Sequence, residues 1–267
     1  MALAAEVPGD DEVQVSVVVP TRNEAPNIAL LVERLGAALR RDLGPDLTWE
    51  VIFVDDSDDA TPAAIQAQVD AGHPVALHHR RAGNRPGGLG GAVRDGFEVA
   101  RGRTVAVMDA DLQHPPEVIP RLLAPIMAGE ADLVSGNRYA AAGDRGGLAG
   151  PWRRLVASSS RRLVHAVIPR SRVLRDPMSG LFAFDRGSLD GVDLQPNGFK
   201  ILLEVIARGD WQQVGNVSYR FDRRHAGHSK ASLRQGWLFA HHLLRLARVT
   251  RCPPDELALR RRAVVGG

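Results

Sequence analysis

Apolar and polar positions along the first half of the chain follow two alternating periods. Runs of consecutive apolar, largely β-branched residues occur at Val13 to Val19, Trp49 to Val54, Pro74 to His79, Thr104 to Met108 and Ala131 to Gly136. Such runs predict strands buried on both faces. Between them, NIALLVERLGAALRR places Ile28, Leu31, Val32, Leu35 and Leu39 on one face of a helix, and GLGGAVRDGFEVARG is a second helix candidate. Buried strands alternating with helices imply an α/β fold with a mostly parallel sheet covered on both sides. Ligands of such sheets bind beyond the carboxyl ends of the strands. The segments that follow the strands are therefore informative: PTRNE after the first, DDSDD after the second and DADLQHPPE after the fourth.

The second half is less regular. PWRRLVASSSRRLVHAVI predicts a helix ended by Pro169, DPMSGLFAFD a turn leading into a strand, and NGFKILLEVIARG a helix closed by Gly209. VGNVSYRF is a further strand, followed by the loop DRRHAGHSK and a helix of roughly Leu233 to Val249. No internal repeat or low-complexity linker interrupts the chain. The expected organisation is a tail over residues 1–12, one domain over 13–232, and a C-terminal amphipathic helix and tail over 233–267.

Asp109 and Asp111 lie one residue apart just past a strand. In extended geometry that spacing turns both carboxylates to one side, where they repel unless a cation compensates. Gln113 continues the alternation with a neutral oxygen. Carboxylate and amide oxygens suit hard ions such as Mg²⁺ or Mn²⁺, which complete their shell with substrate phosphates. Asp55, Asp56, Asp58 and Asp59 are too many for one metal beside that pair, so at least two belong to turns or helix caps. One of them suits a nucleoside as hydrogen-bond acceptor. RPGGLGGA places glycines at a helix N-terminus, where backbone N–H groups favour anions. Together these segments describe a nucleoside-diphosphate site. The paired histidines His78, His79, His241 and His242 lack metal-ligand spacing and are expected to be structural or surface residues.

Charge adds a second ligand class. The net formal charge is only +3, yet Pro151 to Arg175 holds seven arginines and no acid. Clustered arginine points to a polyanionic partner or to phosphate groups of a substrate. Lys200 and Lys230 are the two lysines of the chain, so each is worth weighing as a point-charge phosphate contact. Aromatic residues make up 5% of the chain and no nucleic-acid-binding module pattern is visible, so no nucleic-acid partner is expected. Cys252 is the only cysteine, which excludes an intrachain disulfide and fits a reducing, cytoplasmic compartment. No segment reaches the ~18 apolar residues of a membrane span.

VVVPTRNE, VDDSDD, GLGGAVRDGFEVARG, MDADLQHPPE, SGNRY, DPMSGLFAF, GFKILLE and RHAGHSK, in this order, resemble the family 2 glycosyltransferases of GT-A fold. Within them the chain is most similar to the dolichyl-phosphate and polyprenyl-phosphate mannose synthases. The resemblance spans roughly Val13 to Leu233. It implies transfer of a hexose from a nucleotide sugar, GDP-mannose in that group, to a polyprenyl monophosphate with inversion. It further implies that Pro20, Glu24, Val54 and Asp56 line the nucleoside pocket. Asp109, Asp111 and Gln113 would hold Mg²⁺ or Mn²⁺ against the diphosphate, with the backbone of Ala110 alongside. Arg224 and Lys230 would close over the donor phosphates. Arg138, Arg154 and Ser158 would take the acceptor phosphate. Arg22 departs from the tyrosine often found in the family's PTYNE.

A phosphate monoester is largely dianionic near neutrality and needs orientation rather than a strong base to attack a sugar carbon. Asp176 is accordingly expected to orient the acceptor loop or nearby arginines rather than to act as a base. Asp111, Arg138 and Lys230 are the residues expected to carry catalysis. The Leu233 to Val249 helix mixes Leu and Phe with Arg and His, a pattern shared by interfacial helices and by helices packed on a fold. Peripheral association with an anionic membrane surface, or recruitment by a separate membrane subunit, is the corresponding partner expectation. The alternatives are a UDP-glucose:polyprenyl-phosphate glucosyltransferase and a non-enzymatic phosphate- or nucleic-acid-binding protein.

Overall fold

The computed structural model describes residues 13–138, 160–196, 198, 200–221, 233–249 and 260–261. The first apolar run forms β1 (Val15–Thr21), in which every residue is buried. It is followed by α1 (Ala25–Leu43), β2 (Trp49–Asp55), α2 (Thr61–Asp70), β3 (Val75–His79), α3 (Gly88–Val99), β4 (Thr104–Val107), α4 (Ile119–Met127) and β5 (Leu133–Asn137). A helix over 160–167, α5, leads to β6 (Phe182–Asp185), α6 (Ile201–Arg208), β7 (Gln213–Ser218), α7 (Leu233–Val249) and a two-residue β8 (Arg260–Arg261).

The strands form one sheet in the order β3-β2-β1-β4-β6-β5-β7-β8. β6 runs antiparallel to both β4 and β5, and the remaining pairs are parallel. Alternate strand residues feed two cores. Val15, Val17, Val19, Phe53 and Ala106 pack with the predicted α1 face of Ile28, Leu31, Val32, Leu35 and Leu39, and with Leu122 and Ile126 of α4. Val18, Ile52, Val54, Val105 and Val107 pack on the other face with Val93 of α3 and Leu202, Val205 and Ile206 of α6. Helices on both sides explain why the inner strands are apolar without alternation. Ser16 is a fully buried exception, satisfied by donating to Glu50 Oε1 at 2.7 Å and accepting from the Gly102 amide at 2.8 Å. That approach leaves no room for a side chain at Gly102 and ends α3 at Val99, short of the predicted Gly102.

Three details differ from expectation. The α2 helix was not anticipated; Asp59 starts it by accepting from the Thr61 amide at 2.9 Å. Gly209 follows α6 with φ −71°, so the left-handed helix end that a closing glycine suggests is absent. Glycine is needed there because a Cβ would lie 2.3 Å from the Trp211 ring. The glycines before and within α3 serve close packing: the Gly90 amide donates to the Gly198 carbonyl at 2.7 Å, and a Cβ on Gly91 would meet the Pro86 carbonyl oxygen.

Chain connectivity places the site. From β1 the chain proceeds outward to β2 and β3, then returns through α3 to β4 on the other side of β1. The reversal opens a crevice at the carboxyl ends of β1 and β4, the topological switch point. PTRNE and DADLQ both lie there. Because Val107 pairs with Phe182 in antiparallel register, the segment entering β6 crosses the same end of the sheet.

Candidate active site

The loops after β1 and β2 are hydrogen-bonded into one body. Asp55 is fully buried and accepts from Thr21 Oγ1 and from Ser57 Oγ, with His79 Nδ1 2.8 Å from its other oxygen. Asn23, at φ +59°, donates its amide to Ser57 Oγ at 2.8 Å and accepts from the Asp58 amide at 3.2 Å. The Glu24 amide donates to Thr61 Oγ1 at 2.9 Å. Asp56 is held by both arms of Arg80, at 2.8 and 2.6 Å, and the same guanidinium reaches Asp95 and the carbonyls of Pro86 and Gly88. Asp58 pairs with Arg85, which lies 2.8 Å from it. The acidic run is thus mostly consumed in shaping the loop, as its length implied. Pro20 and Val54 are register partners in β1 and β2 and both are buried, Val54 completely. They lie at the strand ends from which these loops leave. Glu24 and Arg22 lie at the surface side of the same loop.

The DADLQ segment is a turn, which corrects the expectation of an extended alternation. β4 ends at Val107, Leu112 takes φ +59°, and the Gln113 amide donates to Asp111 Oδ1 at 3.0 Å. A buried leucine in the left-handed region is strained and must be held by its surroundings. The turn buries Asp111 and Ala110 and leaves the Asp109 side chain 37% exposed, with Gln113 half-buried. Gly180 admits Asp109: a Cβ there would lie 2.7 Å from Asp109 Oδ2.

His114 closes the turn from beneath. Its Nδ1 accepts from the Asp109 amide at 3.5 Å, and its ring meets Tyr219 and Phe221 edge-on. Burial lowers its pKa to about 4, so it is a neutral wall and adds no positive charge beside the aspartates. Burial also pushes the Tyr219 hydroxyl pKa up, which keeps that ring neutral as well.

Opposite the carboxylates stands a cationic group. Arg138 leaves the end of β5, donates Nε to Asp176 Oδ2 at 2.6 Å and Nη2 to the Met178 carbonyl at 3.1 Å, and lies 5.5 Å over the Phe221 ring. Asp176 is fully buried. Lys200, at the start of α6, donates Nζ to the same Met178 carbonyl at 2.8 Å. Burial first, and the charge of Arg138 second, lower the Lys200 pKa to about 8, against the opposing pull of Asp176 and Asp109.

Residues 16–190 match the family model described as Glycosyl transferase family 2. The chain belongs to that family. It is 37% identical over 237 residues to a dolichol-phosphate mannosyltransferase of Pyrococcus furiosus, covering 87% of this chain and 63% of that protein. It therefore spans less than two thirds of the Pyrococcus relative. The dolichol-phosphate mannosyltransferase of Saccharomyces cerevisiae is 34% identical over 232 residues, 82% of each chain. Among solved structures, mannosyl-3-phosphoglycerate synthase from Rubrobacter xylanophilus shares the fold with a TM-score of 0.65 at 21% identity, over 93% of this chain and 77% of that one. Glucosyl-3-phosphoglycerate synthase from Mycobacterium tuberculosis, in complex with Mn²⁺, UDP and glucosyl-3-phosphoglycerate, gives 0.62 at 22% identity over 91% and 81%. The fold is GT-A.

For a family 2 glycosyltransferase the donor set of the turn fits a hard divalent ion. Among the described residues no three of His, Cys, Asp and Glu converge as a metal cluster. Two carboxylates and an amide leave a coordination shell that substrate phosphates complete, the usual arrangement for Mg²⁺. Of the residues predicted for the site, Asp109, Asp111, Gln113 and Arg138 come together at this end of the sheet, with Glu24 and Asp56 on the neighbouring loops. Arg154, Ser158, Arg224 and Lys230 lie outside the described residues. His114 and Gly180 were missed, and Lys200 was weighed as a phosphate contact without being placed in the site.

Proposed function

We propose that the protein transfers mannose from GDP-mannose to a polyprenyl monophosphate, inverting the anomeric carbon, with Mg²⁺ or Mn²⁺ bound at Asp109, Asp111 and Gln113. The observation that carries this reading is the nearness of two sites of opposite sign, the Asp109 and Asp111 carboxylates beside His114 and the Arg138 guanidinium anchored on Asp176, which share the Phe221 ring as neighbour of His114 and Arg138. The first suits the cation of a nucleoside diphosphate, the second the phosphate of an acceptor. The similarity to dolichol-phosphate mannosyltransferases supports the choice of sugar and acceptor.

In this reading the residues do the following work. The loops joined through Thr21, Asn23, Ser57 and Asp55 hold the nucleoside, with Glu24 on their outer side and Asp56 fixed against them by Arg80. The bound ion supplies charge stabilisation for the departing diphosphate. Arg138 aligns the acceptor phosphate so that one oxygen attacks the anomeric carbon while the nucleoside diphosphate leaves from the opposite face. Asp176 is committed to Arg138, so it acts by positioning, and the acceptor dianion needs no separate base. Arg224 and Lys230 cover the donor phosphates, and Arg154 and Ser158 join Arg138 on the acceptor.

The acceptor belongs to a bilayer, while among the described residues no helix is long and apolar enough to cross one. α7 buries Leu243 and Leu246 with Val164, Ile168 and Leu203, so its inner face is part of the fold. Leu244 of α7 and Leu163 of α5 are 67% and 51% exposed. These leucines beside arginine-rich segments support peripheral attachment at the cytoplasmic face of a membrane. Flotation with anionic vesicles tests it, and absence of binding with acceptor present counts against it.

The deciding experiment is radiolabelled transfer from a panel of GDP- and UDP-sugars to a short polyprenyl phosphate, with and without Mn²⁺. Metal-dependent mannosyl transfer from GDP-mannose is expected. Preference for UDP-glucose selects the glucosyltransferase alternative, and transfer from no donor removes the enzyme reading.

A further inference from the structure

Arg80 follows β3, and every N–H group of its guanidinium is engaged within the protein. Nε donates to Asp56 Oδ1 at 2.8 Å and Nη2 to Asp56 Oδ2 at 2.6 Å. Nη2 also reaches the Gly88 carbonyl at 2.9 Å, while Nη1 donates to Asp95 Oδ2 at 3.0 Å and to the Pro86 carbonyl at 3.2 Å. A guanidinium carries five donors, so none is left for a substrate. The Arg80 side chain is accordingly only 3% exposed. Its backbone is pinned as well: the amide donates to the Asp55 carbonyl at 2.8 Å, and the carbonyl accepts from Arg85 Nε at 3.0 Å. A Cβ on Gly91 would lie 3.2 Å from Nη1, so that glycine leaves the room the guanidinium fills.

We propose that Arg80 is a positioning residue for nucleoside recognition, acting through Asp56 without touching the donor. This rests on the reading of Asp56 as a hydrogen-bond acceptor for the nucleoside. A carboxylate offers about four lone-pair sites on its two oxygens, and an arginine fork takes one on each. The fork therefore fixes the plane of the Asp56 carboxylate and leaves each oxygen a lone pair for an N–H of the base. The Asp56 amide donates to the Thr21 carbonyl at 2.9 Å, so its backbone is already tied to β1 and the side chain is the part that needs orienting. Asp95 and Gly88 of α3, with Pro86 in the turn before it, hold Arg80 from the far side. The direction in which Asp56 faces is thus set by α3, through the arginine, and not by the acidic loop alone. A lysine is a point charge and cannot hold a carboxylate in one plane, so the role requires arginine.

The test uses the full chain in calorimetry with two probes, GDP and inorganic pyrophosphate, each with Mn²⁺; only the first carries a base. Arg80→Lys keeps a positive charge between Asp56 and Asp95 and removes the fork. It is expected to lose about tenfold or more in GDP affinity, the effect of one misplaced charge-assisted hydrogen bond, and to hold pyrophosphate within about twofold. Asp95→Asn leaves Asp56 untouched and loosens the arginine from behind. A smaller loss of the same kind is expected there, and this variant decides the question should Arg80→Lys not fold. In Asp56→Asn, which alters the acceptor itself, adding Arg80→Lys should weaken GDP no further, because residues acting as one unit are not additive. Unchanged GDP affinity in Arg80→Lys, an equal loss of GDP and pyrophosphate, or additive losses in the double variant overturns the assignment. If Asp56→Asn loses GDP affinity and Arg80→Lys does not, the arginine assignment fails alone. If Asp56→Asn matches the parent, or the parent binds GDP no better than pyrophosphate, the nucleoside reading of Asp56 fails and the arginine assignment with it.

Discussion

Arg138 and Asp176, thirty-eight positions apart, meet because β6 enters the sheet between β4 and β5; Arg138 Nε donates to Asp176 Oδ2 at 2.6 Å and the carboxylate is wholly shielded from solvent. A carboxylate so occupied orients the arginine and is poorly placed to accept a proton from an acceptor. Asp176→Asn keeps a hydrogen-bond acceptor and removes the charge. The expected result is a rise in acceptor KM of tenfold or more, since a charge-assisted hydrogen bond contributes about 1.5–3 kcal/mol, with the donor KM little changed. Steady-state kinetics with each substrate varied separates this from base catalysis. Collapse of kcat with acceptor binding and fold intact would make Asp176 the base instead.

Gly180 and Asp109 make a second prediction. A methyl group at 180 would lie 2.7 Å from Asp109 Oδ2, and the obstructing atom belongs to the carboxylate proposed to bind the ion. Gly180→Ala leaves backbone geometry untouched and displaces Asp109. Affinity for Mn²⁺ in the presence of GDP should fall about 10- to 100-fold, the usual effect of disturbing the surroundings of a metal ligand. Thermal unfolding should move little by comparison. Equal Mn²⁺ affinity in variant and parent refutes the link between Gly180 and the metal site.

Metal removal tests the same turn more directly. Chelation is expected to abolish transfer by the wild-type protein, and added Mg²⁺ or Mn²⁺ to restore it. In Asp111→Ala the amide of Gln113 loses its acceptor, 3.0 Å away, as well as the site losing a ligand. Readdition of metal should then fail to restore activity. Full transfer in the chelated wild-type sample rules out a metal at Asp109, Asp111 and Gln113.

The parts of this architecture that could be read from sequence are those where a local period and a burial requirement coincide. The α1 face of Ile28, Leu31, Val32, Leu35 and Leu39 is buried as the spacing predicts, because a 3.6-residue stripe has one way to meet a sheet. Asp109 and Asp111 were visible because paired acids after an apolar strand are unusual. Their turn was not: it depends on Leu112 adopting φ +59°, and leucine gives no local signal for that conformation. Lys200, Asp176 and Arg138 come from three segments, and nothing local in FAFD declares that it pairs antiparallel between β4 and β5. The hints for Lys200 were its rarity and its place in the motif GFKILLE. Glu204 offered a stronger one that went unused, a single acid inside the apolar run ILLEVIA.

Glu204 leads to a prediction about acid. Burial pushes its carboxyl pKa upward, but hydrogen bonds from His242 and Arg208 and the nearby charges outweigh this, and the pKa lies below the ordinary glutamate value. A carboxylate depressed in the folded state stabilises the fold above its unfolded pKa, about 4.3. That stabilisation fades as pH falls from there through the lower folded value. The groups facing it are His242 and Arg245 of α7, Arg208 of α6 and the amide of Gln195, so its protonation releases α7 from α6. Glu204→Gln should destabilise the protein near neutrality by about 3 kcal/mol, because removing one partner of a buried ionic cluster strands the others. It should also flatten the loss of stability below about pH 4.3, since the titrating group is gone. Glu50 and Glu117 are lowered by their own arginine partners and are unaffected by the change, so some acid dependence persists in the variant. Denaturant unfolding of both proteins at a series of pH values measures the difference. Parallel stability curves, offset but equally steep in acid, would mean that the Glu204 cluster holds α7 without contributing to acid unfolding.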